Sequence, residues 1–148
     1  MTILYLSKRN FYVSALLLLL CCRQTASAEE LDSLRNALSR HTKEDTTKVN
    51  LYATVASAYR NASTDSMVAV AQRGLLLADK THFTKGRARC LASLGVAYMF
   101  KNDLERSDSI CNVAISLLEQ TKDSAGMRPV FYYIGNIRYR QTKYKEAI

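Results

Sequence analysis

Two histidines, His41 and His82, are the side chains whose ordinary titration lies closest to neutral pH. As metal ligands or general bases they would need partners, but both fall in predicted connections with no paired ligands, which reads as surface placement. The adjacent carboxylates Asp103/Glu105 and Glu29/Glu30 could in principle divide acid and base work. They stand where helices are expected to begin, so complementing the positive end of the helix dipole accounts for them better. Lys85-Gly86 is a loop fragment rather than a glycine-rich phosphate cradle, and no Ser–His–Asp or Cys–His grouping can be drawn. Asn61-Ala62-Ser63 has the form of a glycosylation tripeptide, a short pattern that carries no chemistry of its own. Cys90 and Cys111 lack Cys-x-x-Cys spacing, so neither zinc nor thioredoxin-like chemistry is indicated; buried free thiols are expected. Together these residues predict no catalytic set, no metal and no cofactor.

Composition narrows the class. In 148 residues, 48% hydrophobic, there are five Gly and one Pro, which favours helices over many-turned β architectures. The formal charge is +8, but Lys8, Arg9 and Arg23 precede any acid. Leaving out those three of the 21 bases leaves 18 against 13 acids, a net +5, interspersed rather than blocked. A basic stripe with interleaved aromatics, as a nucleic-acid reader would carry, is absent, so no nucleic-acid partner is expected.

The N-terminus has its own organisation. Lys8-Arg9 precedes an apolar run, Phe11 to Cys22, with five consecutive leucines, followed by Ala26-Ser27-Ala28. This is the form of a secretory signal peptide over 1–28. The run is about 12 residues, short of the roughly 20 that span a bilayer. Retention as an anchor and lipidation at Cys21-Cys22 are the alternatives, and membrane association is expected only through this segment or one further downstream.

Beyond residue 28 the apolar spacing is helical. Leu31, Leu34 and Leu38 form a stripe on a helix expected to cap the domain over 29–44. Further stripes are Leu51, Val55, Ala58, Tyr59; Val70, Leu75, Leu76, Ala78; Leu91, Leu94, Ala97, Tyr98; Leu104, Ile110, Val113, Ala114, Leu117, Leu118; and Val130, Phe131, Ile134, Ile137. Asp45-Thr46-Thr47, Thr64-Asp65-Ser66 and Asn102-Asp103 supply N-cap oxygens, and Pro129 belongs in a first helical turn, with Asp123-Ser124 as a competing start. Internal similarity aligns Ala56, Gly95 and Gly135, spaced by 39 and 40 residues. A small residue there lets the next helix pack close, flanked by Leu94, Tyr98, Ile134 and Tyr139, with Ala71, Ala78 and Ala114 on the opposing helices. Tyr144 to Ile148 is expected to begin a further helix of an interrupted third repeat.

Leu94-Gly95-x-x-Tyr98 and Ile134-Gly135-Asn136-Ile137-x-Tyr139, with Tyr144-x-Glu146-Ala147, resemble the signature of the tetratricopeptide-repeat (TPR) family. The resemblance covers residues 45–148 as repeats at about 49–82, 88–121 and 128–148. It departs from the family in its period, near 40 rather than about 34, and in lacking a closing Pro. The long period, Asp45-Thr46-Thr47-Lys48-Val49-Asn50-Leu51 and the signal peptide resemble the periplasmic N-terminal regions of bacterial TPR sensor histidine kinases and helix-turn-helix regulators. The resemblance implies an all-α, right-handed α-solenoid of antiparallel helix pairs. It also implies a protein or peptide ligand held on the concave face, in the periplasm or envelope of a Gram-negative-type bacterium. Its inward positions fall on Asn50, Ser57, Arg60, Arg89, Val96, Met99, Tyr132, Asn136 and Tyr139. A non-signalling envelope scaffold is the alternative function.

Overall fold

The computed structural model describes residues 28–146, and all regular structure among them is helical. The expected signal peptide lies almost wholly outside the described residues. Packing divides the chain into Met1–Ser33 and Leu34–Ile148; the interactions below lie within the second unit. Helix α1 covers 28–40. It is followed by α2 (Thr46–Ala58), a short 3-10 turn (Tyr59–Asn61), α3 (Thr64–Lys80), α4 (Thr84–Phe100), α5 (Leu104–Gln120) and α6 (Ser124–Glu146).

Caps set most starts. The Asp45 carboxylate accepts from the Lys48 amide at 3.0 Å and that of Asp103 from the Arg106 amide at 3.2 Å. At α3 the cap is Ser63, whose hydroxyl accepts from the Ser66 amide at 3.2 Å, one residue ahead of the expected triplet. Helix α6 begins at Ser124, which puts Pro129 in its second turn rather than its first. There the proline forgoes one intrahelical bond, the one its missing N–H would give to the Ala125 carbonyl. The expected helix start at Tyr144 is overturned. Helix α6 runs unbroken through Glu146, with the Thr142 hydroxyl donating to the Arg138 carbonyl at 3.0 Å and no Gly or Pro to stop it.

Three connections share one backbone solution. His82, Asn102 and Lys122 take positive φ (51°, 62° and 53°), each as the second residue of a three-residue turn. The His82 amide donates to the Asp79 carbonyl and the Phe83 amide to Ala78; Asn102 and Asp103 repeat this with Met99 and Tyr98, and Lys122 and Asp123 with Glu119 and Leu118. Each is a Schellman motif built without glycine. The turns recur every 20 residues, so α4 and α5 are each 17 residues long, and α3, which starts after the 3-10 turn, has the same length. The near-40 sequence period is two such units.

Consecutive helices are antiparallel, because contacts mirror about these turns. A Cβ at Gly74 would lie 2.6 Å from Cys90 Sγ, and one at Gly95 would lie 2.4 Å from Cys111 Sγ. Each thiol occupies space that a glycine leaves open, and both cysteines are free and buried. Burial pushes their thiols up, Cys90 to about 12 and Cys111 to about 11. The Ser107 hydroxyl donates to the Gly95 carbonyl at 2.7 Å, tying α5 to α4 at the same place. Gly135 differs from its counterparts, since a Cβ there would meet nothing within 4 Å.

Met67, Leu118, Ile137 and Val130 are fully buried, each contributing about 1.5–3 kcal/mol. Ala56, Ala71, Ala78 and Ala114 are buried, as expected of close helix contacts. Four expected core residues face water instead. Leu76, Val113, Phe131 and Tyr139 are 73%, 46%, 54% and 64% exposed. In α6 it is Tyr133, one helical turn from Val130 and Ile137, that fills the core position assigned to Phe131.

Candidate functional site

Helices α2, α4 and α6 present one face each to a common groove of about 360 Å³. Helix α2 contributes Ala53, Thr54 and Ser57, the 3-10 turn Arg60, and α3 Met67. Helix α4 contributes Arg89, Ala92, Ser93 and Val96, and α6 contributes Ala125, Gly126, Pro129, Val130 and Tyr133. The floor is apolar, with polar groups at fixed points. Ser57 and Ser93 share a hydrogen bond of 3.1 Å across the α2–α4 seam.

Arg89 stands at one end and is held from two sides by Asp123 (Nε–Oδ2 2.6 Å, Nη2–Oδ1 3.0 Å). Lys85 Nζ lies 3.4 Å from the same carboxylate. Asp123 is only 3% exposed, and the Arg89 hydrogen bonds hold its carboxyl below the usual range while raising Arg89 in turn. At the other end Arg60 Nη1 donates to the Tyr133 hydroxyl, and its guanidinium sits 5.9 Å from the Tyr133 ring centroid.

Arg60 and Tyr133 also border a second, more polar pocket with Asn61, Met99, Phe100, Tyr132, Asn136 and Arg140. There Arg140 donates to the Met99 carbonyl (3.2 Å) and the Asn102 side-chain oxygen (3.1 Å), and Asn136 Nδ2 to the Tyr132 carbonyl (3.1 Å).

Of the nine inward positions expected from sequence, Ser57, Arg60, Arg89 and Val96 line the groove, and Arg60, Met99, Tyr132 and Asn136 line the second pocket. Asn50 and Tyr139 line neither. The Asn50 side-chain oxygen is buried and lacks a hydrogen-bond partner among the described residues. His41, expected to be unpaired, lies 2.9 Å from the Asp45 carboxylate that caps α2. Sequence reasoning missed Tyr133 and Asp123. The Val130–Tyr133–Ile137 spacing was available as a signal for the first; nothing local marks Asp123 as the partner of a residue 34 positions earlier.

The described residues thus define an all-helical protein with an apolar groove flanked by guanidinium groups. No helix among them is long and apolar enough to cross a membrane, and no group of three or more His, Cys, Asp or Glu is placed to hold a metal ion. No model of a known protein family and no curated protein matches the chain.

Proposed function

We propose that this chain is the ligand-holding part of an exported, TPR-like protein, a right-handed solenoid that binds an extended protein or peptide segment and catalyses no reaction. The observation that carries this reading is the groove, where three alternate helices, α2, α4 and α6, turn one face to the same space. Its mixture of an apolar floor with Arg, Ser and Tyr suits a peptide, whose side chains need apolar sockets and whose backbone needs fixed hydrogen-bonding groups. The 20-residue helix–turn unit supports the solenoid reading, since each helix packs on its sequence neighbours. Export rests on Lys8-Arg9, the leucine run and Ala26-Ser27-Ala28. A sensory role in bacterial signal transduction follows from the resemblance of residues 45–148.

The test is selection of peptides from a random dodecamer library on the immobilised full chain, followed by titration of the enriched peptides. Ala92→Trp, which fills the groove, should weaken binding by about tenfold or more, a loss of 1.4 kcal/mol or greater. Val113→Trp, on the exposed side of α5, should leave binding unchanged. Enrichment of no peptide, or equal affinity in folded Ala92→Trp, removes the groove from the reading.

A further inference from the structure

Positive charge is concentrated on the last helix. Helix α6 carries Arg128, Arg138, Arg140, Lys143 and Lys145 against Glu146 alone, five bases to one acid and a net +4. Residues 28–123 carry 13 bases and 12 acids, a net +1. The same helix holds three of the exposed large hydrophobic side chains, Phe131, Tyr132 and Tyr139. The Arg128 and Arg138 side chains are exposed and make no hydrogen bond or ion pair with a described residue. Lys80, Arg87, Lys101 and Arg106, exposed elsewhere in the fold, each have an Asp or Glu at ion-pair distance. With 3.6 residues to a turn, Arg138, Phe131, Gly135, Arg128, Tyr139 and Tyr132 fall in that order across about 120° of the exposed face.

Cations and aromatic rings therefore mix across the whole face. A protein partner covers a different pattern, an apolar centre depleted of charge with a polar rim. A second copy of α6 would set like charges against each other. The headgroup layer of an anionic bilayer suits the mixture, since Tyr and Phe rings settle at the boundary with the acyl chains while guanidinium groups reach lipid phosphates. The apolar run Phe11–Cys22 brings the chain to a bilayer whether it is removed on export or kept as an anchor, which favours lipid over nucleic acid as the anionic surface. We propose that the exposed face of α6 docks on the surface of a bilayer containing anionic lipid. Phe131, Tyr132 and Tyr139 then lie at the headgroup boundary, and Arg128 and Arg138 bind lipid phosphates. The choice of lipid rests on the export reading above; the charge and aromatic pattern does not. Gly126, Val130 and Tyr133 line the groove from the opposite side of α6, so docking leaves the groove open.

The chain has no Trp, so a single introduced one reports on its own position. Phe131→Trp in the full chain is titrated with vesicles of phosphatidylcholine and phosphatidylglycerol in equal parts. Its emission should move to shorter wavelength and be quenched by lipid brominated in the upper acyl chain. Val113→Trp, exposed on α5, should show neither change, which separates docking of α6 from insertion of the N-terminal apolar run. Partitioning should weaken by about fivefold for each guanidinium removed in Arg128→Gln/Arg138→Gln on the Phe131→Trp background. Added salt should weaken it likewise, and phosphatidylcholine alone should bind more weakly still. Circular dichroism checks that the variants are folded, and Arg138→Gln alone carries the comparison should the double variant lose helicity. No shift of Phe131→Trp on the anionic vesicles, an equal shift of Val113→Trp, or unchanged partitioning of the folded Arg variant overturns the inference. So does a shift that grows with protein concentration in the absence of lipid, which marks a second copy on α6. A shift on single-stranded DNA without one on vesicles overturns it as well. Vesicle binding involves no export, so its failure leaves the export reading standing; cleavage after Ala28, read from the N-terminus of protein recovered from cells, tests that reading separately.

Discussion

Arg89 on α4 and Asp123 in the α5–α6 turn form a two-point ion pair, with contacts of 2.6 and 3.0 Å between residues 34 positions apart. The pair fixes the start of α6, and with it Ala125, Gly126 and Pro129, against the groove end of α4. Asp123→Asn should lower stability near pH 7 by about 1.5–3 kcal/mol, the range for hydrogen bonds to a charged group, with Arg89 keeping partial access to water. Because Arg89 holds Asp123 below the ordinary value of 3.8, the stabilisation is complete above that value and is lost as the pH falls through the lower, folded-state value. Urea titrations of the two proteins should therefore diverge at pH 7 and converge below pH 3.8. Acid sensitivity should persist in part, since Lys80 lowers Glu44 and the Lys48 amide lowers Asp45. A constant gap across this range would show that the ion pair is not its origin.

The two aligned glycine anchors should respond differently to the same change. Gly95→Ala forces a Cβ to within 2.4 Å of Cys111 Sγ and should destabilise by about 1–3 kcal/mol. Cys111→Ala on that background removes the clashing sulfur, so the pair should be less destabilised than the sum of its single changes. Gly135→Ala meets open space and should stabilise by about 0.5–1 kcal/mol through helix propensity alone. Denaturant midpoints for the four proteins decide the matter, and a destabilised Gly135→Ala would contradict the open face of α6.

The non-glycine turns leave room for stabilisation. Lys122 holds φ 53° at the second position of the α5–α6 turn. Lys122→Gly should raise stability by about 0.5–1 kcal/mol, because glycine reaches this region without a Cβ penalty. Lys122→Val should lower it by more than that, since a β-branched residue is a true outlier there. Thermal melts showing the opposite order would mean that Lys122 contributes through its side chain.

Much of the fold was legible locally. Apolar residues at i, i+3, i+4 and i+7 specify helices because 3.6 residues close a turn, and Asp45 and Asp103 announce helix starts because an orphan amide needs an acceptor. The small anchors were legible for the same reason, as Ala71, Ala78 and Gly95 are small at positions where a neighbouring helix must approach. The turns were not. His82, Asn102 and Lys122 adopt the conformation glycine prefers, and the hydrogen bonds that hold them there belong to the helix ends on either side.

The candidate site divides along the same line. Ser57, Arg60, Arg89 and Val96, taken as inward positions from the resemblance to TPR repeats, line the groove. Residue types and spacing by themselves determined an all-helical chain with close-packed pairs and free thiols. Only tertiary structure decided that Tyr133 rather than Phe131 is buried, that Asp123 neutralises Arg89, and that Arg60 and Arg140 line one pocket. Helix periodicity sets which residues share a face, but charge pairing and cavity lining depend on how distant helices are rotated against each other, a quantity no local spacing encodes.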